Sequence, residues 1–467
     1  MMWRIPGLLL VAAISSGCVL KDRYRYVRDQ PTCFDSNVDP VPGAPGEKRP
    51  FPSVDCRSTL YKTAFVEFDE QGSHIDPAQA DKAVALINHE KGSAKRKVIV
   101  LAFVHGWKNN GNEQSPGTRP QDVERFTSAL SELGFRAKEA SSTNPVPVIG
   151  VYIGWRGKSL MGPGFFTWLS YWGRRGTANR IGGDPLTAFL NKVIDTTVPA
   201  DTDQSRVMLA GHSFGARVLE RAIENGVKLY DPEKVRAAGE PVRPRVDLVL
   251  YVNAANDSRL GFARVQALRD KPIIVRHPDY DVEFCKDKPA NPRCRSYPLI
   301  TAITSRGDQA TRRVQPIANA LNFDGDSAPL PELPVEAGRF LELVPSARSV
   351  KRSSPANLPF LQSHRITEET CPASPAEFAC DPTDISCAFA FQGRGECTAC
   401  FKARARQGEG TRLPFNQTAY WIMDVDARVI RDHGDIWNQS TLSMLGAMMS
   451  PRGFFEPGAA RMQVLSP

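Results

Sequence analysis

Residues 97–104 read Lys-Val-Ile-Val-Leu-Ala-Phe-Val, an apolar run with a single charge at its start. A strand apolar on both faces has to be covered on both, as in a parallel sheet with helices wound on either side. Further strands are predicted over 63–68, 146–153, 206–210, 246–252, 299–304 and 420–429. Helices are predicted from Pro77, over 122–133, from Pro185 to about Ile194, and over 216–225. Strands alternating with helices define an α/β fold around a mostly parallel sheet. A chain of 467 residues can bury a large core and still carry additions.

Within this pattern lies Gly211-His212-Ser213-Phe214-Gly215, a G-x-S-x-G sequence between a strand and a helix. A sharp turn there strains the serine backbone and lifts its hydroxyl above the sheet's carboxyl end, while the glycines let strand and helix approach. A serine hydroxyl is a weak nucleophile at neutral pH. It needs a base within hydrogen-bond reach, and that base needs an orienting carboxylate.

The chain resembles the α/β-hydrolase superfamily over about Thr63 to Leu321 and Tyr420 to Gly446. The resemblance is carried by Phe103-Val104-His105-Gly106-Trp107, the Ser213 turn, Arg306-Gly307-Asp308 and Asp432-His433-Gly434. It implies Ser213 as nucleophile, with the acid following the second strand beyond the turn. Asp308 holds that place, with Asp257 after the preceding strand as the alternative. It implies a base after the last strand, at His433, with His364 as the rival; His74 and His89 are expected at the surface. The backbone N–H groups of Phe214 and Trp107 are the implied oxyanion donors. The implied activity is cleavage of carboxylic esters or lipids through an acyl-enzyme. Acyl transfer, thioester cleavage and peptide cleavage use the same triad. A chain that kept this fold and lost activity, serving as an envelope binding or assembly protein, is the alternative. The mechanism needs no cofactor or metal, and the sequence has no Walker-type loop, dinucleotide fingerprint or metal-binding His pair.

The amino terminus resembles a bacterial export signal over residues 1–17, with Arg4 ahead of the apolar stretch 8–14. Ser15-Ser16-Gly17-Cys18 resembles a lipobox, which implies acylation of Cys18 and a membrane anchor, with Val19 in favour of the outer membrane. A Pro-rich tether is expected over 18–60, and the hydrolase core over 61–325 and 418–467. Within the core, 156–183 reads as a lid-like segment rich in Gly and aromatics, suited to an acyl pocket or a membrane interface. The Pro- and Cys-rich stretch 326–417 is expected as an insertion with limited regular structure, and as a surface for an envelope protein partner. Ten cysteines in an exported chain favour disulfides. Cys33–Cys56 and Cys285–Cys294 are the local pairings, and the last five cysteines leave connectivity open. Cys380, Cys387, Cys397 and Cys400 as a zinc set is the disfavoured alternative. The net charge of +8 is spread without a block, which suits anionic lipid surroundings and argues against nucleic acid.

Overall fold

The computed structural model describes residues 25–26, 51–93, 96–106, 122–141, 143–157, 174–200, 203–231, 233, 244–256, 258–269, 275–276, 296–316, 354–358, 361–372, 380, 387–393, 399–406 and 419–449. Trp107, Cys18, Asp257, Cys33, Cys285, Cys294 and Cys397 lie outside them.

Eleven strands form one sheet: β1 Val54–Asp55, β2 Lys62–Phe68, β3 Ile99–Val104, β4 Val148–Trp155, β5 Arg206–His212, β6 Leu248–Val252, β7 Ile300–Ser305, β8 His364–Glu369, β9 Cys387–Gly393, β10 Ala399–Ala405 and β11 Tyr420–Val425. Their order is β9-β10-β8-β11-β7-β6-β5-β3-β4-β2-β1. From β2 across to β8 every neighbouring pair is parallel. The β8–β10, β10–β9 and β1–β2 pairs are antiparallel. The protein is therefore α/β with a mixed, mostly parallel sheet.

The apolar run that opens the sequence lies near the middle of this sheet, and all six residues of β3 are buried. Val100, Ala102 and Val104 face one core, with helices α1 Pro77–Lys91, α3 Asp184–Thr197, α4 Phe214–Glu224 and α5 Ser258–Arg269. Ile99, Leu101 and Phe103 face the other, with α2 Asp122–Ala140 and α6 Gln439–Met449. Two cores on opposite faces explain why this strand shows no polar alternation. Helix α1 has both end signals. The Asp76 side chain accepts from the Ala78 N–H (3.1 Å) ahead of Pro77, and Gly92 closes the far end at φ 61°. No helix among the described residues is long and apolar enough to cross a membrane.

Four expectations change. Residues 18–60 do not all stay off the core. Arg25–Tyr26 pairs with Phe51–Pro52, β1 pairs with β2, and the Arg25 side chain is fully buried. Proline at 52 is tolerated because the 25–26/51–52 ladder has only two strands, both of them edges. The stretch 326–417 is richer in regular structure than expected, for β8, β9 and β10 extend the main sheet. Their edge is stapled by Cys371–Cys400 and Cys380–Cys387, which removes Cys380, Cys387 and Cys400 from any zinc set. In the segment 156–183, residues 174–181 form a helix with Ala178 and Ile181 in the core. Arg174 Nη1 there donates to Glu70 Oε1 (3.0 Å) and to the Arg156 carbonyl (2.7 Å). That part is packing; residues 158–173 lie outside the described set. The last strand also ends at Val425, because the Asp426 carbonyl turns the chain by accepting from Val429 and Ile430 N–H.

Candidate active site

Because β5, β7 and β11 run parallel, the residues that follow them emerge at one edge of the sheet. Ser213 follows β5, Asp308 lies three residues after β7, and His433 lies in the loop after β11. The structure brings these three side chains together.

Ser213 has φ 54° and ψ −120°, and Asn253 is the other described non-glycine residue with positive φ. Such a conformation costs about 1–3 kcal/mol and persists only where the surroundings hold it. The Ser213 N–H donates to the Val252 carbonyl (3.1 Å), and its own carbonyl accepts from Ala255 N–H (3.1 Å). Space is the second constraint. A Cβ on Gly215 would stand 2.1 Å from the Val104 carbonyl oxygen, and one on Gly106 would stand 2.9 Å from Ser213 Cβ.

The Ser213 hydroxyl donates to His433 Nε2 at 2.7 Å. His433 Nδ1 in turn donates to Asp308 Oδ1 at 3.0 Å. Asp308 is fully buried. Its Oδ1 also accepts from the N–H groups of Ala310 (2.9 Å) and Thr311 (3.2 Å), and its Oδ2 from Thr311 Oγ1 (2.5 Å). Burial pushes its pKa up, but the hydrogen bond and charge of His433 and the Thr311 donors outweigh this, so the carboxyl titrates below its usual value. The carboxylate thus stays ionised and holds the imidazole tautomer that leaves Nε2 open to the serine.

Two residues with no assigned role in the sequence fix His433 through its main chain. His212 is buried, and burial foremost, with His433 nearby, lowers its pKa to about 3. The ring is neutral, and its Nε2 donates to the His433 carbonyl at 2.7 Å. Asn253 Nδ2 donates to the same carbonyl (3.1 Å) and to that of Asp432 (3.2 Å), while Asn253 Oδ1 accepts from Ser305 N–H (3.0 Å). Ser305 Oγ donates to the Ile430 carbonyl, and Arg125 Nη1 to that of Gly434 (2.6 Å). The loop bearing His433 is therefore tied to β5, β6, β7 and α2. A polar residue closing each of β5 and β6 was the only hint of this in the sequence.

Of the two expected oxyanion donors, Phe214 is among the described residues. Phe214 opens α4, so its amide sits at the positive end of that helix. On the other side His105 is buried and neutral, with burial lowering its pKa to about 4. Its Nδ1 donates to the Gly106 carbonyl (2.8 Å), its Nε2 accepts from Trp155 N–H (2.9 Å), and its carbonyl accepts from Trp155 Nε1 (2.9 Å). These bonds fix the backbone that leads to Trp107.

The remaining expected residues sort as follows. His364 is buried against Trp421, with ring centroids 4.0 Å apart, and its Nδ1 contacts Ser363 Oγ (2.9 Å); it is not the partner of Ser213. His74 is half-buried, its ring tilted against that of Phe68 with centroids 4.4 Å apart, rather than a surface residue. Asp435 is held by Arg431 and Asn438, and Asp432 Oδ1 accepts from Gly434 N–H. Among the described residues no group of three or more His, Cys, Asp and Glu converges to hold a metal ion.

No protein-family model matches this chain, and no curated protein matches it in sequence. Among solved structures it is similar to an uncharacterized protein from Pseudomonas aeruginosa, at 12% identity and a TM-score of 0.19. That match spans 52% of this chain and 42% of the other, and at this score it carries no argument.

Proposed function

We propose that this chain is a serine hydrolase of the α/β-hydrolase type, anchored through Cys18 in the bacterial envelope, and that it cleaves carboxylic esters or lipids. The observation that carries this is the continuous relay from Ser213 Oγ through His433 to Asp308, at 2.7 and 3.0 Å. Its support from the fold is the order of parts: nucleophile after a central strand, acid after the second strand beyond, base after the last parallel strand.

In this mechanism Ser213 Oγ attacks the ester carbonyl carbon as His433 Nε2 takes its proton. Asp308 stabilises the imidazolium that forms. The oxyanion of the tetrahedral intermediate is held by the Phe214 amide and, on the family's pattern, by that of Trp107. His433 then protonates the departing alcohol, and an acyl group remains on Ser213. Water, activated by the same imidazole, attacks the acyl carbon and regenerates the serine. The two disulfides fit an oxidising compartment, in keeping with the export signal.

The test is labelling by a fluorophosphonate probe, with Ser213→Ala and His433→Ala alongside. Labelling of the native protein alone is expected. A folded, oxidised native protein that takes no probe would overturn the hydrolase proposal and favour a catalytically silent binding protein.

A further inference from the structure

Among the described residues Arg25 comes first in sequence, and it is fixed firmly. Its N–H donates to Glu67 Oε2 (2.9 Å), its carbonyl accepts from Gln79 Nε2 (3.1 Å), and its guanidinium carbon lies 3.6 Å from the centre of the Phe65 ring. The chain direction through it is equally defined. Residues 25–26 run parallel to 51–52, and that stretch leads into β1, antiparallel to β2. The polypeptide therefore passes Arg25 coming down from the carboxyl edge of the sheet, the edge that bears Ser213, Asp308 and His433.

The register sets the level. Glu67 pairs with Gly154, Val104 pairs with both Ile153 and Gly211, so Glu67 lies level with His212, one residue before the nucleophile. Three strand spacings of about 4.8 Å separate them, roughly 14 Å. Cys18 lies seven residues before Arg25. Fully extended at about 3.3–3.6 Å per residue, that link spans no more than roughly 25 Å.

We propose that this short link holds the catalytic edge against the bilayer entered by the acylated Cys18, so that the substrates are acyl esters of lipids in the same leaflet. The proposal rests on the lipid-anchored hydrolase reading above. A tether of some forty residues would let the domain turn freely; one clamped at Arg25 does not.

The experiment uses the full lipidated chain in phosphatidylethanolamine–phosphatidylglycerol vesicles. It compares the native form with one carrying a flexible Gly/Ser linker of about thirty residues between Leu20 and Lys21. Ser213 is tagged with a fluorescent fluorophosphonate, and energy transfer to acceptor-headgroup lipids is read. Untagged samples are assayed on a vesicle-embedded lipid ester and on a water-soluble ester. The native form is expected to give strong transfer, at least halved by the linker. Lipid-ester cleavage is expected to fall about fivefold or more with the linker, as the effective concentration drops. Soluble-ester cleavage should stay unchanged. Equal transfer and equal lipid-ester cleavage in the two forms would overturn the orientation while leaving the hydrolase reading intact. Absence of acyl mass at Cys18, or of probe at Ser213, would remove the underlying reading and the orientation with it.

Discussion

Asn253 does more for His433 than any residue beside it in sequence. It sits at φ 45° and spends both amide hydrogens on carbonyls of the base's loop. Glycine adopts that backbone conformation without strain, so Asn253→Gly removes the hydrogen bonds and little else. Its expected effect is a fall in kcat of roughly 10- to 100-fold with KM nearly unchanged, since a misplaced base costs rate rather than binding. Steady-state kinetics on a soluble ester, with a thermal melt to show the fold is kept, would check it. Gly215→Ala should be harsher, because its Cβ would meet the Val104 carbonyl oxygen at 2.1 Å. Probe labelling at Ser213 is expected to vanish, together with a drop in melting temperature. The triad itself was legible in the sequence because each member follows a strand that its own apolar run announces. His212 and Asn253 were not, because their partners are backbone carbonyls more than 170 residues away, and no local pattern encodes such a contact.

At the level of elements, the parallel core was equally legible, for buried strands carry their signal in composition alone. The outer strands were harder. In β9 the buried residues alternate with partly exposed ones, Cys387, Phe389 and Phe391 facing inward. That period-two signal sits among prolines and cysteines that suggested irregular structure. β8 carries Arg365, Glu368 and Glu369 and is held to β10 partly by cross-strand ion pairs such as Arg404–Glu369 (2.8 Å). The two disulfides close loops of different length, with separations of 29 and 7 residues. Chain-entropy arguments give them about 3.5 and 2.5 kcal/mol. Cys371→Ser with Cys400→Ser should therefore lower stability by more than Cys380→Ser with Cys387→Ser. Both should leave the initial rate of Ser213 labelling within about twofold, since β10 and β9 lie beyond β8 and carry no member of the triad. Denaturant titration beside probe labelling reads both effects.

At the scale of the whole molecule, three buried histidines among the described residues contribute to the response to acid. His105, His212 and His364 are kept neutral, chiefly by burial, with pKa values lowered to about 4, 3 and 3. In the unfolded chain each would titrate near 6.5. As pH falls below that value the unfolded state takes up protons that the folded state refuses, so stability is full above about 6.5 and drains toward the folded pKa. Each contributes a slope of up to about 1.4 kcal/mol per pH unit in this window. His364→Phe, which keeps an aromatic against Trp421, should flatten the loss of stability between pH 6.5 and 4.5. Denaturant midpoints at several pH values would show it, and an unchanged slope would count against a neutral His364.

The place of β11 has a consequence for how the protein comes into being. Among the described strands β11 is last in sequence, yet it sits inside the sheet, between β7 and β8. Strands β8, β9 and β10 emerge earlier, but β8, which links the other two to the parallel sheet, has this parallel neighbour only once β11 arrives. The base His433 rides on the same late segment. A chain cut short before this segment, or stalled ahead of it, therefore carries Ser213 without the imidazole that meets its hydroxyl. On the hydrolase proposal, reactivity at Ser213 is in effect a certificate of completed assembly, and a half-made copy has none.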